Sequence, residues 1–323
     1  MTKIGTLACL VTILWLPACV HENGNELFYD LPPVEDKKCV HDNSSIENEP
    51  KITQSNIESE DTMYIIIQGK RFETKLTKLY LELDINDEEL ILLTELTGLT
   101  RLAFGGHQIS DLTPLSSLVN LESLSLWGDK ISDITPIAEL SNLKYLELSG
   151  NQISDLSPIE NLASLTALWL RNTQVDDLTP LMGLINLTNI ELWNNQISDL
   201  SPIANLTNLT RLIVNDNPVS DLTPLSNLIN LEGAAFNNNQ ISDLSPLASL
   251  VNLEALSFGD NPISDLSPLA ELTNLMSLRV HNAQVSDITP LANLKNLIHL
   301  RLDADKITDW SPVEHVYNVE GRP

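Results

Sequence analysis

Apolar residues in this chain recur with two superimposed periods. Within LKYLEL (143–148) the leucines Leu146 and Leu148 alternate with polar residues, the pattern of a short strand with one buried face. Over a longer span, an apolar residue two positions before an aspartate falls at Ile109, Ile131, Ile153, Val175, Ile197, Val219, Ile241, Ile263, Val285 and Ile307, each step 22 residues. Ten units therefore fill residues 99–318, and a looser copy precedes them at Leu76–Leu96. Strands stacked about 4.8 Å apart form a parallel sheet in which each unit packs on its neighbours. The predicted fold is an α/β solenoid, an arc roughly 45 Å along its sheet. Parallel strands line its concave face and short helical turns lie on the convex side.

The phrase NQISDLSP occurs unchanged at 151–158, 195–202 and 239–246. Its aspartate stands two residues before a Ser or Thr, where a short carboxylate accepts that residue's backbone N–H as an Asx-turn. The Ser/Thr (Thr113, Ser157, Ser201) then reads as a helix N-cap, and the following Pro as the first helical residue. The competing reading is a calcium ladder on the aspartate column. Calcium loops converge several oxygens on one ion, whereas each unit here offers one placed carboxylate. No metal is therefore predicted, and no cofactor. Asn151, Asn195, Asn217, Asn239 and Asn261 should satisfy loop backbone between units, with the ladder broken at His107, Asp129, Thr173, Ala283 and Asp305. Phe104, Phe236 and Phe258 take core positions, and Trp310 should close the far end.

The unit LxxLxLxxNxISDLxPLxxL resembles the leucine-rich repeat. Its 22-residue length and [ST]-D-[LI]-[ST]-P segment are most similar to the bacterial internalin class. That resemblance implies a non-enzymatic module that binds a host or neighbouring-cell protein through its concave face, in adhesion or recognition. The class often adds an immunoglobulin-like cap and a cell-wall anchor. Here 13 residues follow Trp310, so host invasion is not carried over.

Outside the repeats the pattern changes. One Lys precedes an apolar run ending in Leu16-Pro17-Ala18-Cys19, which fits a signal peptide over 1–18. The ending resembles a lipobox, which implies lipid attachment at Cys19 and a bacterial membrane anchor with cell-surface exposure. Ordinary secretion is the alternative, and a Cys19–Cys39 pair then becomes possible. Residues 19–62 read as a flexible acidic tether, 63–98 as a cap hairpin plus degenerate repeat, and 319–323 as a tail. A formal charge of -26 argues against nucleic-acid binding. The membrane is then met only through the N-terminal anchor.

If the repeated phrase is scaffold, information resides in the variable strand positions. Three of the four tryptophans after residue 18 fall there (Trp127, Trp169, Trp193), in a chain with only 5% aromatics. With Tyr145, Glu147, Arg171, Glu191 and Arg211 they define a candidate partner-binding patch, since Trp, Tyr and Arg dominate interface hot spots. The bland alternative is shielding of strand backbone by the rings. A glycan is the second class of ligand for the same face. Arg279, His281 and Arg301, near His299 and Asp303, form a weaker candidate for an anion, or simply a solvated rim. No HExxH or G-x-S-x-G segment is present. His281 and Asp303 lack a placed nucleophile, and Glu147 and Glu191 lie two units apart on an open surface. The chain reads as a non-enzyme.

Overall fold

The computed structural model describes residues 63–81, 85–106 and 108–322. Cys19, the apolar leader and the acidic segment lie outside these residues, as does His107. The described chain opens with strands β1 (Tyr64–Ile67) and β2 (Lys70–Glu73), an antiparallel pair. Gln68 and Gly69 between them take φ of 48° and 80°. Two left-handed residues in succession match the twist of the flanking strands. Ile65 and Ile67 turn inward against the turn at Ile91–Glu95 and join the core.

The large sheet has twelve parallel strands in sequence order. It begins with β3 (Lys78–Tyr80), β4 (Arg101–Gly105), β5 (Ser123–Trp127) and β6 (Tyr145–Glu147). It continues through β7 (Ala167–Trp169), β8 (Asn189–Glu191), β9 (Arg211–Ile213) and β10 (Gly233–Ala235). β11 (Ala255–Ser257), β12 (Ser277–Val280), β13 (His299–Leu302) and β14 (Asn318–Glu320) complete it. β14 pairs with β13 and so takes in part of the stretch that the sequence reads as a tail. Each unit returns through a short 3-10 turn, such as Ser157–Ile159 or Ser201–Ile203, which gives the expected leucine-rich arc. Leucines and isoleucines fill the space between strands and turns, most of them fully buried. Phe236 and Phe258 stack with centroids 5.6 Å apart inside the same core. Trp310 is buried at the last turn.

The aspartate column acts as Asx-turns throughout. In all ten units the carboxylate accepts the Ser/Thr backbone N–H two residues on, at 2.8–2.9 Å. The Ser/Thr is not the N-cap, however. The cap position falls on the preceding Leu, Ile or Trp, without a side-chain bond, and the Ser/Thr is the first residue of the turn. Its hydroxyl bonds back to the aspartate instead, as Ser157, Ser245 and Ser267 do at 2.8–3.0 Å. The carboxylate already holds the free N–H, so the hydroxyl has no orphan donor left to cap.

Two further devices lock units together. Asn217 Oδ1 accepts the Ile197 N–H at 2.9 Å while its amide donates to Leu192 O at 2.9 Å and Asn215 O at 2.8 Å. Asn151, Asn195, Asn239 and Asn261 repeat this buried pattern. Just after each strand, Gly106, Gly128, Gly150, Asn172, Asn194, Asp216, Asn238, Asp260 and Asn282 all have φ between 52° and 74°. Only Gly, Asn and Asp occupy these nine positions because they tolerate the left-handed region best. The tenth unit offers Ala304, and there the chain takes a 3-10 turn over Ala304–Lys306.

Candidate functional site

Parallel register brings the variable side chains of β5–β9 onto one concave surface. Trp169 on β7 is paired with Glu147 on β6 and Glu191 on β8. Trp127, Trp169 and Trp193 are each partly exposed, and none enters the core. Two of them are held by identifiable contacts. The Trp127 ring lies directly on Gly105 of β4, where an added Cβ would come within 2.3 Å of its Cδ2. The Trp193 indole N–H donates to Asp216 Oδ2, and Asp216 Oδ1 accepts from Asn238 Nδ2 at 2.7 Å. Sequence reading missed both Gly105 and Asp216, because each acts on a ring 22 or 23 residues away. The 22-residue offset from Gly105 to Trp127 was the available signal.

Charged groups around Trp169 form a relay. Arg171 lies 3.7 Å from Glu147 and 3.7 Å from Glu191, and Glu191 lies 3.7 Å from Arg211. Side chains of both glutamates are only 14% exposed, against 38% for Arg171 and 34% for Arg211. The carboxylates thus sit low and the guanidinia stand over them. Burial pushes the Glu147 carboxyl above the ordinary carboxylate range. The Ser149 hydrogen bond and the Arg171 charge oppose that shift without cancelling it. Two acids and two bases leave the plate near neutrality in a strongly acidic chain. Tyr145 lies on β6 at the margin, partly exposed.

The concave columns are not uniformly open. Ser123, Ser125, Ala167, Ala235, Ala255 and Ser257 face the same side yet are buried, because larger neighbours overhang them. Ser257 Oγ donates to Asn237 Oδ1 at 2.6 Å, so even its hydroxyl is engaged within the sheet. Exposure in these columns does not follow side-chain length alone, since Ile213 is buried while Ser277 is partly exposed.

At the far end, Arg279 and Arg301 are strand neighbours, as their spacing requires. Arg301 lies 3.6 Å from Glu320 on β14, so the last strand supplies an acid where an external anion had been considered. His281 Nε2 lies 3.5 Å from Asp260, and its ring covers Gly259. Burial, and then the Arg301 charge, hold this imidazole below the usual histidine range, so at neutral pH it is largely uncharged. Asp303 accepts the Ala283 N–H at 3.1 Å, and its charge, like that of Asp260, partly opposes the lowering at His281. Among the described residues, no group of three or more His, Cys, Asp and Glu side chains converges as metal ligands would.

The family described as Leucine Rich repeats (2 copies) matches residues 141–181, 185–227 and 229–271. No curated protein matches the chain. Among solved structures the chain is similar to an internalin (inlF) of Listeria monocytogenes, with 31% identity and a TM-score of 0.64, over 78% of this chain and 89% of that one. An internalin C2 of the same bacterium shares 36% identity over 63% of this chain and 82% of its own, with a TM-score of 0.50. A leucine-rich-repeat protein of Leptospira interrogans shares 26% identity over 71% of this chain and 62% of its own, with a TM-score of 0.67. The repeat length, the parallel arc and identity of this extent over nearly the whole of the first relative make the chain a member of the internalin family of leucine-rich-repeat proteins.

Proposed function

We propose that this protein is a non-enzymatic recognition module that binds a protein partner on the concave face, through Trp127, Tyr145, Glu147, Trp169, Arg171, Glu191, Trp193 and Arg211. Solenoids of stacked repeats present extended concave surfaces suited to this use. One observation carries the reading: partly exposed tryptophans from three repeats share a surface with a self-neutralising Glu–Arg relay. Ring faces supply apolar area at low entropy cost, and the relay supplies hydrogen-bonding groups without a net charge to desolvate. Arg171 and Arg211 stand higher than their acids and are the groups a partner's carboxylate or carbonyl would meet first.

Export and lipid attachment at Cys19 complete the proposal, with the arc displayed at a bacterial cell surface to meet host or neighbouring-cell proteins. Among the described residues no helix is long and apolar enough to cross a membrane. The secondary cluster at Arg279, His281 and Arg301 is proposed as a minor contact, weakened by the Arg301–Glu320 pair.

Crosslinking pull-down with residues 19–323 identifies the partner. Trp169→Ala and Trp193→Ala should then each weaken its binding by at least about 1–2 kcal/mol, with the circular dichroism spectrum and melting temperature retained. Unchanged affinity in both variants refutes the patch. Glycan binding on the same face is the second reading, because indoles beside acids and arginines also suit sugar rings. Strong glycan-array binding that disappears in Trp169→Ala would favour it over a protein partner.

A further inference from the structure

A separate groove of about 680 Å3 runs along the edge of the arc where the strands begin. One of its columns is an outer asparagine ladder from Asn186 to Asn274. The other is Thr166, Thr188 and Thr210, continued by Glu232 and Glu254. Five strand spacings make the groove roughly 24 Å long.

Hydrogen-bond accounting shows what the groove offers. Each ladder asparagine uses one amide N–H on a carbonyl of the preceding unit, at 2.8–2.9 Å. Each threonine hydroxyl donates to a preceding-unit carbonyl, at 3.0–3.3 Å. A primary amide has a second N–H and two lone pairs on its oxygen, and a hydroxyl that donates still accepts. Every rung therefore presents one donor and several acceptors, side by side, at a repeat of about 4.8 Å. Lys144, at one end, is held by Glu122 at 3.2 Å.

Ligand chemistry follows from that array. An amide's adjacent N–H and C=O hold a pair of neighbouring hydroxyls at two points, because a hydroxyl both donates and accepts. A pyranose unit in a linear chain is about as long as one rung. An extended peptide repeats its outward groups every two residues, about 6.6 Å, and falls out of step with the rungs. Polyanionic chains meet Glu232 and Glu254 in a molecule of formal charge -26. We propose that this groove binds a neutral linear polysaccharide, with about one sugar per repeat. The site is independent of the tryptophan face and stands whether or not a protein docks there.

The test is calorimetric titration of residues 19–323 with pentasaccharides of β-1,4-glucose, β-1,4-N-acetylglucosamine and α-1,4-glucose, with a polygalacturonate fragment as the charged control. At least one neutral chain should bind, with affinity rising from the disaccharide to the pentasaccharide. The double variant Thr188→Leu/Thr210→Leu fills the groove without changing charge and should lose at least tenfold in affinity. Thr188→Ser/Thr210→Ser keeps the hydroxyls and should bind as the parent does, which separates ligand loss from misfolding. Trp169→Ala should leave this affinity unchanged. Absence of binding by all three neutral chains overturns the proposal. So does a loss confined to Trp169→Ala, or a preference for the charged fragment.

Discussion

Gly105 illustrates how one residue can set a surface. It lies in β4, and its missing side chain is the space that the Trp127 ring occupies. Gly105→Ala would bring a methyl carbon within 2.4 Å of the Trp127 backbone oxygen as well as into the ring. Overpacking of this kind typically costs about 1–3 kcal/mol. The expected result is a lower melting temperature together with increased acrylamide quenching of tryptophan emission; unchanged quenching would mean the ring does not depend on that seat. Glu147 makes the opposite case. Its carboxyl is raised by burial, so its ionisation is harder in the folded than in the unfolded chain. The contribution is most favourable below the ordinary carboxylate range and is lost as pH rises through the raised folded value. Glu147→Gln should therefore stabilise the protein at pH 7, on the order of 1 kcal/mol, with the gain vanishing at low pH. Melting curves across pH check this, and a variant less stable at pH 7 would show that the Arg171 contact outweighs burial. The turn aspartate Asp199 runs the other way. Asp199 is lowered by the Ser201 hydroxyl and then its amide, so its contribution is present above the ordinary aspartate range and lost as pH falls through its folded value.

At the scale of the element, a unit is a strand, a left-handed corner, an asparagine and an Asx-turn, and none of these is stable alone. The inner asparagine joins three backbone groups from two units, so its loss leaves buried polar groups without partners. Asn217→Ala should cost about 2–4 kcal/mol, more than the substitution of an exposed asparagine elsewhere in the repeats. Denaturant titration beside Asn205→Ala, whose side chain is exposed, measures the difference; equal midpoints would deny the ladder its structural weight. The outer ladder escaped the sequence reading. Asn186 and Asn208 each donate to a carbonyl 23 residues earlier. The signal was there in the Asn-Leu pair recurring at the 22-residue period. Its meaning needed the stacking of neighbouring units, because the acceptor belongs to a different repeat.

Across the whole molecule, the sequence by itself determined the architecture. Ten copies in register fixed the strand, the turn and the concave columns, because a side chain's face follows from a period of two within each strand. It placed Trp127, Trp169 and Trp193 on the open side and the three phenylalanines in the core, and the structure has them there. Only the tertiary structure decided how far each side chain reaches and what meets it. Glu147 and Glu191 are sunk beneath Arg171 and Arg211, Ser257 is buried on a face that alternation leaves open, and Glu320 answers Arg301. These are contacts between side chains one or two repeats apart, set by relative size and by the stacking of strands. Periodicity along the chain assigns a residue to a face; the overhang of its neighbours across the sheet assigns its exposure and charge.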